Sequence, residues 1–89
     1  MVKAIFANWK LRFDDACVSV RAFTLGKRGS KPKDGIAAVL RLTGVCEQIK
    51  MLFASGPDAG AAAALVALGR GRALAAEARL SLLERKRNA

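Results

Sequence analysis

Apolar residues that recur every four and three positions, on both sides of one break, constrain this chain more than any other feature. Ala38, Leu42, Val45, Ile49 and Leu52 stand before the break, and Ala62, Val66, Gly69, Ala73, Ala76, Leu80 and Leu83 after it. This rhythm gathers side chains on one stripe of an α-helix but scatters them over both faces of a strand, so it selects helix. The break is Ser55-Gly56-Pro57, which ends one helix, and Asp58 can cap the next. The spacing predicts helices over 35–54 and 58–86. So short a connection makes them a long antiparallel helical hairpin. Val39, Cys46 and Phe53 widen the first seam along one edge. The second seam is mostly small, so the bulky first seam fits against it. Gly69 and Gly71 each cost about 1 kcal/mol relative to alanine inside a helix, so a bend or break is expected at 69–72.

Residues 2–25 admit two readings. Trp9 to Phe13 and Val18 to Arg21 alternate around Asp14-Asp15, as in a β-hairpin. As a helix, the apolar residues from Val2, Ile5, Phe6 and Trp9 through Phe13, Ala16, Cys17, Val20, Phe23 and Thr24 fall within an arc of about 120°. The helix accounts for more residues, and Gly26 then stands where a C-cap glycine belongs. Leu11, Val18 and Leu25 form a thinner second seam at spacing seven on the other side. A helix apolar on two sides needs two neighbours, so at least a homodimer is expected through Leu11, Val18 and Leu25. The fold class expected is therefore all-α: one domain of 89 residues with helices over 2–25, 35–54 and 58–86 and a loop over 26–34. Gly26, Gly29 and Pro32 break regular structure in that loop, and Ser30 or Asp34 can cap the second helix.

The opening ten residues, ending Asn8-Trp9-Lys10, resemble the first strand of triosephosphate isomerases, which ends in the same three residues. The match covers about a tenth of the chain. The remainder is far too short for an eight-fold barrel, so the resemblance implies no shared fold.

Charge is unevenly placed. Sixteen Lys/Arg face seven Asp/Glu, for a formal net charge of +9. Lys27, Arg28, Lys31 and Lys33 form one run without an acid, and Arg85, Lys86 and Arg87 form another, while residues 34–84 balance to zero. In a hairpin the start of the second helix lies near the end of the third, so both runs would meet at one end. Arg72, Arg79 and Lys86, at spacing seven, form a same-sign stripe that extends the second run inward. Such a stripe repels itself and makes sense facing an anion or a carboxylate.

Several chemistries lack their residues. The loop does not match the phosphate-cradle pattern of nucleotide triphosphatases. The chain has no His and only Cys17 and Cys46, so neither a metal set, a Cys–His pair nor a cofactor site is expected, nor enzymatic activity. Both cysteines read as buried thiols in a reduced setting, which makes a cytoplasmic location the expectation. Phe6, Trp9, Phe13 and Phe23 lie on the apolar arc and read as core rather than base-stacking groups. Leu42-Thr43-Gly44-Val45 resembles the turn of helix-turn-helix motifs, but the seam runs through Gly44 without changing phase. The longest apolar run, Ala59 to Gly69, is about half the ~20 residues a membrane span needs, so no membrane contact is expected.

Two function classes remain. One is nucleic-acid binding, DNA or RNA, through phosphate contacts from Lys27, Arg28, Lys31, Lys33, Arg72, Arg79, Arg85, Lys86 and Arg87. The other is an oligomeric protein-interaction subunit or inhibitor of phage or mobile-element type, docking that basic face on an acidic protein.

Overall fold

A computed structural model describes the backbone of residues 2–26 and 31–88 and the side chains of residues 4–26 and 31–86. It is all-α: α1 spans Val2–Thr24, α2 Pro32–Leu52 and α3 Ala59–Asn88. The β-hairpin alternative is excluded, because α1 runs unbroken through Asp14 and Asp15, and Asn8-Trp9-Lys10 lie in helix rather than strand. At its end Leu25 N–H donates to the Arg21 carbonyl at 2.9 Å and Gly26 N–H to the Phe23 carbonyl at 3.0 Å. Gly26 has φ +71°, the left-handed turn for which glycine is suited.

The second helix starts at Pro32, not at residue 35. Proline has no N–H to lose at a helix start, and its fixed φ suits the first turn. Lys31 is the N-cap, extended at φ −86° and ψ 150°, with no side-chain cap, so Asp34 lies in the first turn instead of capping it. Lys33 therefore belongs to the helix rather than to a loop. Ser30 and Gly29 lie outside the described residues. The helix continues through Gly44 and stops at Leu52.

One core joins all three helices. It contains Phe13, Ala16, Val20 and Phe23 of α1, Ala38, Val39, Leu42, Cys46 and Ile49 of α2, Phe53 beyond it, and Ala62, Val66 and Ala76 of α3. On α2 the buried stripe follows Gly35, Val39, Leu42, Cys46, Ile49 and Phe53, while Leu52 is 52% exposed. The edge expected to widen the seam is thus its centre. Neighbours on two sides of α2 turn it so that Val45 is only half-buried.

Specific contacts fix how the helices meet. A Cβ on Gly35 would overlap the Phe23 ring, so the start of α2 lies directly on the end of α1. A Cβ on Gly69 would lie 2.6 Å from Cys46 Sγ and 2.8 Å from Phe13, so α3 approaches both other helices there. At the far end Phe6 meets Phe53 edge-on, with centroids 5.0 Å apart. The expected break at 69–72 does not occur: α3 is continuous, because close packing over Gly69 offsets its poor helix propensity. The molecule measures 51 × 19 × 15 Å.

Within Ala59–Lys86 an 18-residue stretch reaches a mean hydropathy of 1.2, enough by length and composition alone to cross a membrane. The uninterrupted apolar run still ends at Arg70, and the stretch reaches spanning length only by including Arg70 and Arg72. The apolar pattern resumes beyond Arg70 and Arg72 at Ala73, Leu74 and Ala75. An arginine at the centre of a span costs about 2.5–3.5 kcal/mol, and this helix also gives Ala62, Val66 and Ala76 to the core.

Candidate anion-binding site

Phe23, Gly26, Lys31, Gly35 and Arg79 lie at one end of the bundle. Phe23 ends the buried stripe of α1, and Gly35 touches its ring. Arg79 reaches across from α3, with its guanidinium 5.5 Å from the Phe23 ring centroid. Its Nη1 would lie 3.0 Å from a Cβ at Gly26. Half-buried Arg79 thus covers the C-terminus of α1, where unpaired carbonyls attract a cation. Its Nε is buried and has no hydrogen-bond partner among the described residues.

Lys31 and Lys33 are exposed at the start of α2, whose N–H groups add partial positive charge. Arg85 and Lys86 are exposed on the last turns of α3, beyond half-buried Leu83. Lys27 and Arg28 lie outside the described residues, as does the side chain of Arg87. Gly26 and Lys31, which bracket residues 27–30, are both at this end. Asp34 and Glu84 are the exposed acids nearest in sequence.

Arg72 lies elsewhere. It is half-buried in a groove of about 220 Å³ between α1 and α3, shared with Phe13, Asp14, Cys17, Val18, Arg21 and Leu68. The stripe of Arg72, Arg79 and Lys86 therefore runs along the side of α3 that meets α1. Two of its three members lie against α1, Arg72 in the groove that Asp14 also lines and Arg79 over Phe23. Sequence spacing placed the three on one side but could not show that α1 occupies it.

A second concavity escaped sequence reasoning. A groove of about 390 Å³ between α2 and α3 is walled by Phe53, Ala54, Ala59, Ala62, Ala63, Val66 and Ala67, with Lys50 and Arg70 beside it. The alanines of 59–67 that permit close packing also leave this space, and only their density in the sequence hints at it.

The second α1 seam is exposed: Leu11 and Val18 at 67% and Leu25 at 58%. The only salt bridge among the described residues links Arg41 to Asp15 at 3.6 Å. Burial pushes the Cys46 thiol above its ordinary pKa, and Cys17 nearby adds to this. Burial raises Cys17 too, with Arg72 pulling partly the other way. No group of three His, Cys, Asp or Glu that could hold a metal occurs among the described residues. The chain matches no family model, no curated protein and no solved structure.

Proposed function

We propose that this chain is a small, basic, non-enzymatic helical protein that binds nucleic acid through phosphate contacts. The observation that carries the reading is the position of Lys31 and Lys33 beside the end of α1, at the end of the bundle toward which the tail of α3 runs. The contacts of Phe53, Cys46 and Phe23 with successive parts of the chain support α2 and α3 as an antiparallel hairpin. Lys31, Lys33, Arg85 and Lys86 are the described cations of the site; Lys27, Arg28 and Arg87 add charge from the sequence. Arg79 holds the end of α1 in place, and Arg72 contributes less, since Asp14 shares its groove. Phe13, Phe23 and Phe53 are in the core while Phe6 and Trp9 are half-buried, and binding is sequence-tolerant because phosphate contacts carry no base information.

Binding of labelled duplex and single strands of mixed sequence, followed by anisotropy against salt, tests this. Affinity should fall steeply with salt, and K31E/K33E should flatten the slope, each lost contact removing about 0.9 from it on duplex. Absence of binding at low salt, or indifference to salt, overturns the reading.

The exposed apolar residues favour a second reading. Leu11, Val18, Leu40, Met51, Leu74 and Leu82 are each more than half exposed. Such surface suits a homo-oligomeric interaction subunit docking on an acidic protein. A host pull-down with and without nuclease separates the two: a stoichiometric protein partner that survives nuclease supports the second.

A further inference from the structure

Leu11 and Val18 of α1 and Leu25 just past its end form an exposed apolar seam, and Val18 lies midway between the other two. A seam symmetric about its central residue can pair with a second copy of itself in antiparallel sense. Val18 then faces its equivalent at the twofold, and Leu11 faces Leu25 of the other copy. Leu68 of α3, itself exposed, shares a groove with Val18 and widens the apolar patch beside the axis.

Charge selects among the ways two such helices could pair. Asp14 and Asp15 fill the step between Leu11 and Val18, and Arg21 and Ala22 fill the step between Val18 and Leu25. Asp14 and Arg21 lie on one flank of the seam, since both line the α1–α3 groove. Asp15 lies on the other flank, where it pairs with Arg41 of α2. Antiparallel helices related by a twofold keep each flank facing its own equivalent. A twofold at Val18 therefore sets Asp14 opposite Arg21 of the other copy, and the reverse. A twofold between Asp14 and Asp15 would set carboxylate against carboxylate, and so would a parallel in-register pair. Among the described residues neither Asp14 nor Arg21 has a salt bridge within its own chain.

We infer that the chain forms an antiparallel homodimer through α1, with its twofold at Val18 and reciprocal Asp14–Arg21 pairs between copies. This rests on the oligomeric part of the reading above and adds its register. The axis places the two basic ends on opposite sides, with the two Gly26 residues about 24 Å apart along the helix direction. One anionic polymer engaging both ends would gain affinity without new contacts.

A single helix-on-helix contact lies at the small end of interface size, below about 1,200 Å², so association is to be measured up to ~100 µM protein. Sedimentation equilibrium of the full chain should show a monomer–dimer equilibrium. D14R or R21D alone should weaken it by about tenfold, and D14R/R21D should recover most of the loss, because opposite charges again face each other. V18D, at an exposed position on the axis, should leave a monomer whose circular dichroism matches wild type. A wild-type chain monomeric at ~100 µM overturns the oligomeric reading itself. A dimer that D14R and R21D leave unchanged, or that the double reversal fails to restore, overturns the register alone.

Discussion

Gly69 and Gly71 lie two residues apart in one helix, yet they meet opposite surroundings. A methyl on Gly69 would press on Cys46 Sγ and Phe13, whereas one on Gly71 would meet nothing within 4 Å. Gly71→Ala should therefore stabilise by about 1 kcal/mol, the usual helix-propensity difference. Gly69→Ala gains the same propensity but forces two buried side chains to shift, which typically costs about 1–3 kcal/mol. Denaturant titration of the two variants should show midpoints moving in opposite directions. From spacing alone both glycines read as weak points, because propensity is local and packing is not. The thiols make a further residue-scale case. Both Cys17 and Cys46 have pKa values raised by burial. The unfolded chain then releases thiol protons first as pH rises, so stability is full below the ordinary thiol value of about 8.5 and declines above it. Unfolding midpoints measured across that value should fall, and a thiol reagent should label the folded protein more slowly than the denatured chain.

Helices differ in how plainly the sequence declares them. The α3 seam was legible in full: Ala62, Val66, Gly69 and Ala76 are buried, and Ala73, Leu80 and Leu83 half-buried, as their spacing implies. On α1 the arc from Phe13 to Phe23 was equally plain, though its Ile5 is 52% exposed. The α2 seam was legible as helical but not in its rotation. Gly35 carries no hydrophobicity to mark it as core, and only Phe23 above it explains its burial. The same local blindness hid the role of Arg79, which spacing grouped with Arg72 and Lys86. Its guanidinium over Phe23 at the C-terminus of α1 joins two elements, through cation–π attraction of about 0.5–1 kcal/mol and the helix dipole. Arg79→Ala should cost about 1–2 kcal/mol in chemical denaturation, and Lys86→Ala, on an exposed turn, less than about 0.5. Equal losses at the two positions would contradict an anchoring role for Arg79.

At the scale of the whole molecule, the proposed basic end depends on which helices share an end, and the short 53–58 connection is what in the sequence bears on that. What the sequence could not supply is the division of the cations between holding the fold and facing outward, because that depends on where α1 lies. Arg85 and Lys86 are the cleanest test of that division. They come after Leu83, the last residue of α3 packed on the core, and both are exposed. If they serve only the negative end of the α3 dipole, R85Q/K86Q loses about 0.3–1 kcal/mol per charge at low salt and leaves ligand binding untouched. If they contact phosphates, the same variant lowers affinity for mixed-sequence duplex and reduces the slope of log affinity against log salt by about 1.8, two contacts at ~0.9 each. The second outcome is expected, because both side chains are exposed and follow Leu83, which packs on the core. Melting temperature and salt-dependent anisotropy, measured on one preparation, distinguish the two. An unchanged slope with a lowered melting temperature would confine the tail to a structural role.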